Sequence, residues 1–535
     1  MRRPKITPTL LDRAIAYVDP ARAVQRLRNR AVLELATGGA YTGASRGKRS
    51  LAAWSPRAES PNEAILGDLP AQRDRSRDLA RNNPLATGAL NTVITRVIGT
   101  GLSLQPAIDH VALGITREAA AAWQRNVKRR WEMWAERTWC DITAQQNLYG
   151  LQAQVMRGVL EAGDMFALLP LLDDRRRPSE LAVKVVEGDR CRNPRGERER
   201  PQLAGGIEFD DQGRPVRYHF TREHPDSFYQ GAGETDAIDA IGAASGRRNV
   251  LHVYDQRRPG QARGVPYLAP VIEPLKQLQR YTDAEIDAAV ISSFFTVFMV
   301  GQDGETPDVL ESAITGETSG SSDERMPRGS QAWNGELSSG LVIDVPKGDV
   351  KFADPTRPNV AFDPFVQAVL RQIGAALEIP FELLIKHFTS SYTAARGALL
   401  DFWLFVRSRR EWMATMFCQP VYEEWLRIEI ASGRIAAPGY FSNALARHAW
   451  SSASWVGDSM GVLDPQREAA AAEKYLSLGI TTREKLCMQH DGSSWDDVHE
   501  QLVRENEARR AAGLGSAVQP VPPATPGERD DDDRE

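Results

Sequence analysis

A chain of 535 residues with 42% hydrophobic and 26% charged side chains has room for roughly two to four domains and an ordinary globular core, which excludes a wholly disordered or fibrous protein. Its formal charge of −5 gives no bulk drive towards nucleic acid, and Cys140, Cys191, Cys418 and Cys487 stand too far apart in sequence for a zinc ribbon or a disulfide framework. No apolar run approaches the roughly 20 residues of a membrane span, and the basic N-terminus lacks the apolar stretch and cleavage site of a secretory signal.

Residues 1–60 are rich in Arg, Ala, Gly and Ser, with basic residues in excess of acidic ones; this is the pattern of a loosely ordered arm able to touch nucleic acid. The general preference for Arg over Lys suits phosphate binding, but GC-rich codon usage explains it better. Ser60-Pro61-Asn62-Glu63 has the spacing of a capping box with proline at the first helical position. Trp123, Trp131 and Trp134 fall on one long amphipathic segment and are read as core anchors. Thr143-Ala144-Gln145-Gln146 reads as a second box, opening a helix that Gly163 closes.

From Asp164 the period shortens. FALLPLL, LAVKVVE, GGIEF, PVRYHF and NVLHVY are predicted strands, with Asp210-Asp211-Gln212-Gly213 as a hairpin turn. Helices followed by a small mixed or antiparallel sheet define an α+β, predominantly helical fold.

The stretch Arg257 to Tyr267, RRPGQARGVPY, places arginines and glycines ahead of a helical pattern, the setting in which backbone N–H groups hold phosphate. It lacks the Lys-Ser/Thr of a phosphate loop, as does GASRGKRS at Gly43 to Ser50, so a nucleotide site is not supported. The stretch reads instead as a hinge, with Arg257, Arg258 and Arg263 available to DNA or to a neighbour's carboxylates. The apolar period then predicts a long helix from Pro270 through FFTVFMV. A polar, Gly/Ser-rich excursion follows, then GLVIDVP and DVKFADP as a strand pair. Asp363-Pro364 starts a helix that stops before Pro380. The longest helical pattern runs from Thr393 to Ser432, with a kink expected at Pro420. Thr481-Thr482-Arg483-Glu484 and Ser494-Trp495-Asp496-Asp497 open two further helices, and the Pro-rich tail ending DDDDRE has the composition of a disordered segment.

Catalytic motifs are few. Gly457-Asp458-Ser459-Met460-Gly461 matches the nucleophile-elbow pattern, which needs a strand before the serine and a helix directly after it. Asp464-Pro465 starts the next helix too late for that, and neither His448 nor His490 is singled out as its base. The histidines form no H-E-x-x-H and the carboxylates no metal-loop spacing, so no metal, no cofactor and no catalytic residue is assigned.

Several stretches in order, RDLARNNPLATGALNTVITRVIGTGL, HVYDQRRPGQARGVPYLAPVIEPLKQLQRYTDAEIDAA, SSYTAARGALLDFW with RREWMATMFCQPVYEEWL, and then ARHAW, DPQREAAAAEKYLSLGITTREKL and HEQLVRENEARRAAGL, resemble the lambda-type portal proteins of tailed bacteriophages. The resemblance covers about residues 10 to 515. It implies a portal architecture: a basic arm at 1–60, a wing at 61–265, a first stem helix at 266–300, a clip at 301–361, a second stem helix at 362–380, a tunnel loop and long wing helix at 381–450, a helical crown region at 451–515 and an acidic tail at 516–535. It further implies a non-enzymatic virion protein, a homo-oligomeric ring of about twelve subunits at one capsid vertex, assembled in the bacterial cytoplasm. Double-stranded DNA would pass through without sequence specificity, and the ring would dock the terminase large subunit, capsid or scaffold proteins and head–tail connector proteins, with no membrane. The matching channel-loop candidates are Lys386, His387, Thr389, Ser390 and Ser391, and the clip contact candidates are Arg325, Arg328, Trp333, Lys347 and Lys351. Two other classes remain as alternatives: a serine hydrolase or protease at Ser459, and a monomeric nucleic-acid-binding structural protein using the basic arm.

Overall fold

The computed structural model describes residues 9–37, 49–51, 53–227, 235–293, 297–300, 349–352, 362–388, 391–461, 465–490, 492–493 and 495–514. The chain divides into two compact units, Met1–Ala64 and Ile65–Glu535.

In the first unit the helices Leu10–Val18 and Pro20–Thr37 form a hairpin. Thr9 and Asp12 cap the first helix reciprocally: the Thr9 N–H donates to Asp12 Oδ2 at 2.9 Å and the Asp12 N–H donates to Thr9 Oγ1 at 3.3 Å. Asp12 is only 1% exposed, and its other oxygen accepts from Arg26 Nε at 3.0 Å, so one buried carboxylate caps one helix and pins the other. The N-terminal arm therefore contains an ordered element that its composition did not announce. The Ser60–Glu63 box forms as read, with Ser60 N to Glu63 Oε2 at 3.0 Å and Glu63 N to Ser60 Oγ at 3.3 Å.

In the second unit the helices Leu69–Asn82, Pro84–Val97, Arg117–Ala135 and Leu148–Ala162 come first. Asn83 separates the first pair: its backbone is extended and its side chain accepts from Leu85 N and Ala86 N, which starts the helix that Pro84 leads. Trp131 and Trp134 are fully buried, and Trp131 meets Trp134 at 5.1 Å and Trp425 edge-on at 5.2 Å, joining this helix to Gln419–Ala431. The box read at Thr143 does not open a helix. Thr143 instead donates to the Asp141 carboxylate through its N–H and hydroxyl in a local turn, and Asn147 caps the helix that starts at Leu148. Gly163 closes that helix at φ 92°.

An antiparallel three-stranded sheet follows, in the order Lys184–Glu187, Asp164–Leu168, Val250–Tyr254. A four-stranded antiparallel meander, Leu203–Ala204, Ile207–Phe209, Pro215–Thr221 and Thr235–Asp239, packs beside it through Phe166, Ile207, Tyr218, Phe220 and Val250. The Asp210–Gly213 turn closes as read, with Gly213 at φ 77° and its N–H donating to Asp210 O at 2.9 Å.

A short 3-10 turn, Ala269–Val271, then leads into the helix Ile272–Ser293. The helix does not continue through FFTVFMV. Val297–Val300 is a strand paired antiparallel with Asp349–Phe352, as its β-branched and aromatic residues favour. Asp349–Phe352 is the described part of DVKFADP; GLVIDVP, the strand expected to pair with it, lies outside the described residues along with the polar excursion at 301–340. The helix Phe362–Ala376 packs against Ile272–Ser293, with Tyr281 stacked on Phe362 at 5.5 Å and edge-on to Phe365 at 5.2 Å.

The longest helical segment is built from Tyr392–Met413, a π turn at Ala414–Cys418 and Gln419–Ala431. The disturbance expected at Pro420 falls on the preceding turn because the proline ring crowds the carbonyl four residues back and offers no N–H to it. The strand Ala453–Val456 pairs antiparallel with Ser103–Pro106, tying the C-terminal part of the chain to the early helices. Helices Pro465–Ser477, Arg483–His490 and Trp495–Ala511 follow, and the second starts at Thr482, whose hydroxyl accepts from Lys485 N at 3.2 Å in place of the Thr481–Glu484 box. Ser494 and the tail from 515 lie outside the described residues. No helix among the described residues is long and apolar enough to cross a membrane.

Candidate functional site: an anchored hinge and an exposed loop

The stretch RRPGQARGVPY leaves the strand Val250–Tyr254 and is folded around its own glutamine. Gln261 Oε1 accepts from Arg257 N at 3.0 Å and Arg258 N at 3.2 Å, its Nε2 donates to Arg263 O at 2.7 Å, and its carbonyl accepts the Tyr254 hydroxyl at 2.9 Å. This closes a compact loop in which Gly260 takes φ 76°.

Arg263 points inward. Its side chain is 2% exposed and forks onto Asp164, Nε to Oδ2 at 2.6 Å and Nη2 to Oδ1 at 3.0 Å. Nη1 donates to the carbonyls of Cys191 and Gly205, each at 2.8 Å, and Nη2 also donates to Gly188 O. From the other side Arg73 Nη2 reaches Asp164 Oδ1 at 2.7 Å and its Nε reaches Ala162 O at 2.8 Å. Gly264 N adds a bond to Oδ2 at 3.2 Å, and His252 Nε2 lies 3.4 Å from the same oxygen. Burial alone would push the Asp164 carboxyl up; the guanidiniums of Arg263 and Arg73 overcome that and hold it well below the usual carboxylate range. His252, stacked between Phe166 at 4.3 Å and Tyr254 at 4.1 Å, is lowered by burial against the pull of Asp164, which keeps the imidazole neutral near pH 7.

Arg263 is therefore not available to DNA or to a neighbour's carboxylate, contrary to the sequence reading. A guanidinium with every face occupied cannot also take a phosphate. Arg257 and Arg258 remain exposed. Backbone contact explains Gly264: a Cβ there would lie 1.9 Å from Gly163 O, so the end of one helix and the hinge touch main chain to main chain.

The second feature is the turn after Phe381–Ile385. Leu383 and Leu384 are buried and seat this short helix. Lys386 then takes the left-handed conformation, φ 53° and ψ 37°, with its N–H on Glu382 O. The chain consequently turns outward: Lys386, His387 and Phe388 are all exposed, Phe388 by 54%. Ser391, also exposed, caps Tyr392–Met413 by accepting from Ala394 N at 3.4 Å. Thr389 and Ser390 lie outside the described residues, as do Arg325, Arg328, Trp333 and Lys347. Lys351 stands on the strand Asp349–Phe352 opposite Phe298.

The elbow pattern around Ser459 is used for attachment. Asp458 accepts from Thr100 N at 2.9 Å and Thr100 Oγ1 at 2.6 Å, and Arg410 bonds Asp458 O at 2.6 Å together with Val97 O and Arg96 O, each at 2.8 Å. The Ser459 hydroxyl accepts from Gly461 N at 3.3 Å, His448 and His490 are exposed, and the next described helix starts only at Pro465. Glu187, Asp189 and His224 stand close enough to share a metal ion, but Arg77 already bonds Asp189 and lies 3.9 Å from Glu187, filling that position with a cation. Sequence reasoning missed both the Asp164 cluster and the Arg410–Asp458 clasp. Their members are far apart along the chain, and nothing local marks an aspartate as buried.

Anchoring, capping and pinning of chain segments is the work these residues do. The chain belongs to the lambda family of phage portal proteins, whose family model matches residues 47–410. It is 24% identical over 496 residues to the portal protein of Escherichia phage N15, covering 89% of this chain and 90% of that one. It is likewise 24% identical over 482 residues to portal protein B of Escherichia phage lambda, covering 87% and 88%. Among solved structures it resembles a chain in the neck of a native gene transfer agent particle computed with C12 symmetry, at 12% identity, 85% and 97% coverage and a TM-score of 0.38, too low to carry an argument. A portal protein is a structural component of the virion and not an enzyme.

Proposed function

We propose that the chain assembles into a ring of identical subunits at one capsid vertex, and that double-stranded DNA enters and leaves the head through its axial channel. The observation that carries this reading is the family match over residues 47–410, a span that includes the anchored hinge, the packed helices Ile272–Ser293 and Phe362–Ala376, and the exposed turn at Lys386. In this reading those two helices are the stem, residues between them form the clip, and the segment 386–391 is nearest the DNA. A duplex that must slide is best served by sparse, sequence-blind contact, since each tight phosphate clamp would act as friction. One lysine and one histidine, exposed beside Phe388 and followed in the sequence by Thr389, Ser390 and Ser391, fit that requirement.

The ring would dock the terminase large subunit, which would supply the ATP hydrolysis, and would meet capsid or scaffold proteins and head–tail connector proteins. Assembly would take place in the bacterial cytoplasm. Arg325, Arg328, Trp333, Lys347 and Lys351 are the candidates for these contacts, arginine and tryptophan being the residue types that dominate interfaces. The test is nuclease protection in heads assembled with and without this chain. Heads lacking it should form shells but protect no DNA; equal protection in its absence would overturn the reading.

A further inference from the structure

The exposed turn at Lys386, His387 and Phe388 lies between two points at which the chain is fastened to the hinge. At the first, the helix Phe362–Ala376 closes with Ile379 N–H on Gly374 O at 2.9 Å, and Glu378 takes a left-handed φ of 53° to allow it. A side chain is strained at that φ, so the conformation persists only where its surroundings hold it. Leu377 O lies past the last helical turn, where a carbonyl has no intrahelical donor, and it accepts the Tyr267 hydroxyl. Tyr267 is itself fixed, its N–H donating to Leu160 O at 2.9 Å. Burial pushes the Tyr267 hydroxyl up in pKa, so it stays protonated and able to donate.

At the second point Arg409, on Tyr392–Met413, reaches Asp255 Oδ2 through Nη1 at 3.2 Å and lies over the Phe405 ring at 5.4 Å. Asp255 directly follows the strand Val250–Tyr254. Between the two points Phe381–Ile385 packs on Pro84–Val97 with Leu383 and Leu384 buried, and Lys386 repeats the left-handed φ of 53°.

We propose that Tyr267 is a positioning residue for the exposed turn: together with Asp255 it ties the chain on either side of the turn to the hinge, which thereby sets where Lys386, His387 and Phe388 stand. Without the hydroxyl, Leu377 O loses its donor and the strained Glu378 loses the bond beside it, so the closing turn opens more often. The Asp255–Arg409 pair is partly exposed and contributes less. That the turn meets DNA rests on the ring reading; that the hinge positions it does not.

The test is the distance between nitroxide labels on Met133→Cys and Phe388→Cys, both exposed positions, in the full chain diluted with unlabelled copies. Cys487→Ser removes the one cysteine that is not buried. Tyr267→Phe keeps the ring and removes only the oxygen. The distance distribution is expected to be about twofold broader in Tyr267→Phe, and broader again when Asp255→Asn is added. Labels on Met133→Cys and Val216→Cys, both away from the turn, should keep the wild-type distribution. An unchanged distribution at Phe388 in the double variant would overturn the inference, as would equal broadening of the Met133–Val216 pair, which would mark a general loosening. Packaged DNA per head reads the other claim: a broadened turn with undiminished packaging upholds the positioning and counts against the turn as the DNA contact.

Discussion

Arg263 meets Asp164 across 99 residues of sequence in a two-pronged ion pair buried on every side, its Nε 2.6 Å from Oδ2. Arg73 completes the site from the helix Leu69–Asn82, so a single carboxylate ties an early helix, the central strand and the hinge that leads to Ile272–Ser293.

Removing the charge leaves the buried Arg263 guanidinium without a carboxylate in contact and leaves Arg73 with only Asp189, 3.8 Å away. Asp164→Asn is expected to lower stability by about 3–5 kcal/mol, and Arg263→Lys, which keeps a charge but loses the fork and its carbonyl bonds, by about 1–3 kcal/mol. Urea denaturation of the purified protein measures both, and a loss under 1 kcal/mol for Asp164→Asn would contradict the pinned hinge.

The same carboxylate sets an acid dependence. Its folded value is depressed by Arg263 and Arg73, so its stabilisation is present above the unfolded value of about 3.9 and is lost as the pH falls below that through the folded value. The melting temperature of the wild type is expected to drop steeply below about pH 4, and that slope should be shallower in Asp164→Asn. Asp189, lowered in the same direction by Arg77 and Arg73 despite its burial, leaves a residual slope in the variant.

Two glycines of the hinge separate strain from crowding. Gly260 has a left-handed φ of 76° with open space where a Cβ would stand, whereas a Cβ on Gly264 would lie 1.9 Å from Gly163 O. Gly260→Ala is expected to cost about 1 kcal/mol, as conformational strain alone. Gly264→Ala should cost about 3 kcal/mol or more, because main chain must move. Equal thermal shifts in the two variants would argue against the close contact.

At the exposed turn, Lys386→Glu changes charge on a residue that supports no buried group. Stability and subunit assembly are expected to stay as in the wild type, while packaged DNA per head falls, measured by quantitative PCR on nuclease-treated heads. Unchanged packaging would remove Lys386 from the channel.

Periodic features were legible in the sequence. The tryptophans of Arg117–Ala135, the five predicted strands and the Asp210–Gly213 turn lie where alternation, helical spacing and turn chemistry put them. Misreadings arose where local signals competed. Thr143 had box spacing, but Asp141 captured its hydroxyl; FFTVFMV extended an apolar period, but its residue types favoured a strand. The Asp164 cluster was illegible in principle, since its partners Arg73, His252 and Arg263 come from separate segments and only the tertiary fold makes Arg263 a buried anchor.

The central claim is that identical subunits close into a ring around a channel wide enough for duplex DNA. Native mass measurement of the purified full-length protein, combined with electron imaging of the same sample, tests it most directly. The account predicts a single closed oligomer of many subunits whose end-on views show a central hole. A sample that stays monomeric, or that forms particles without a hole at every concentration tried, would contradict it.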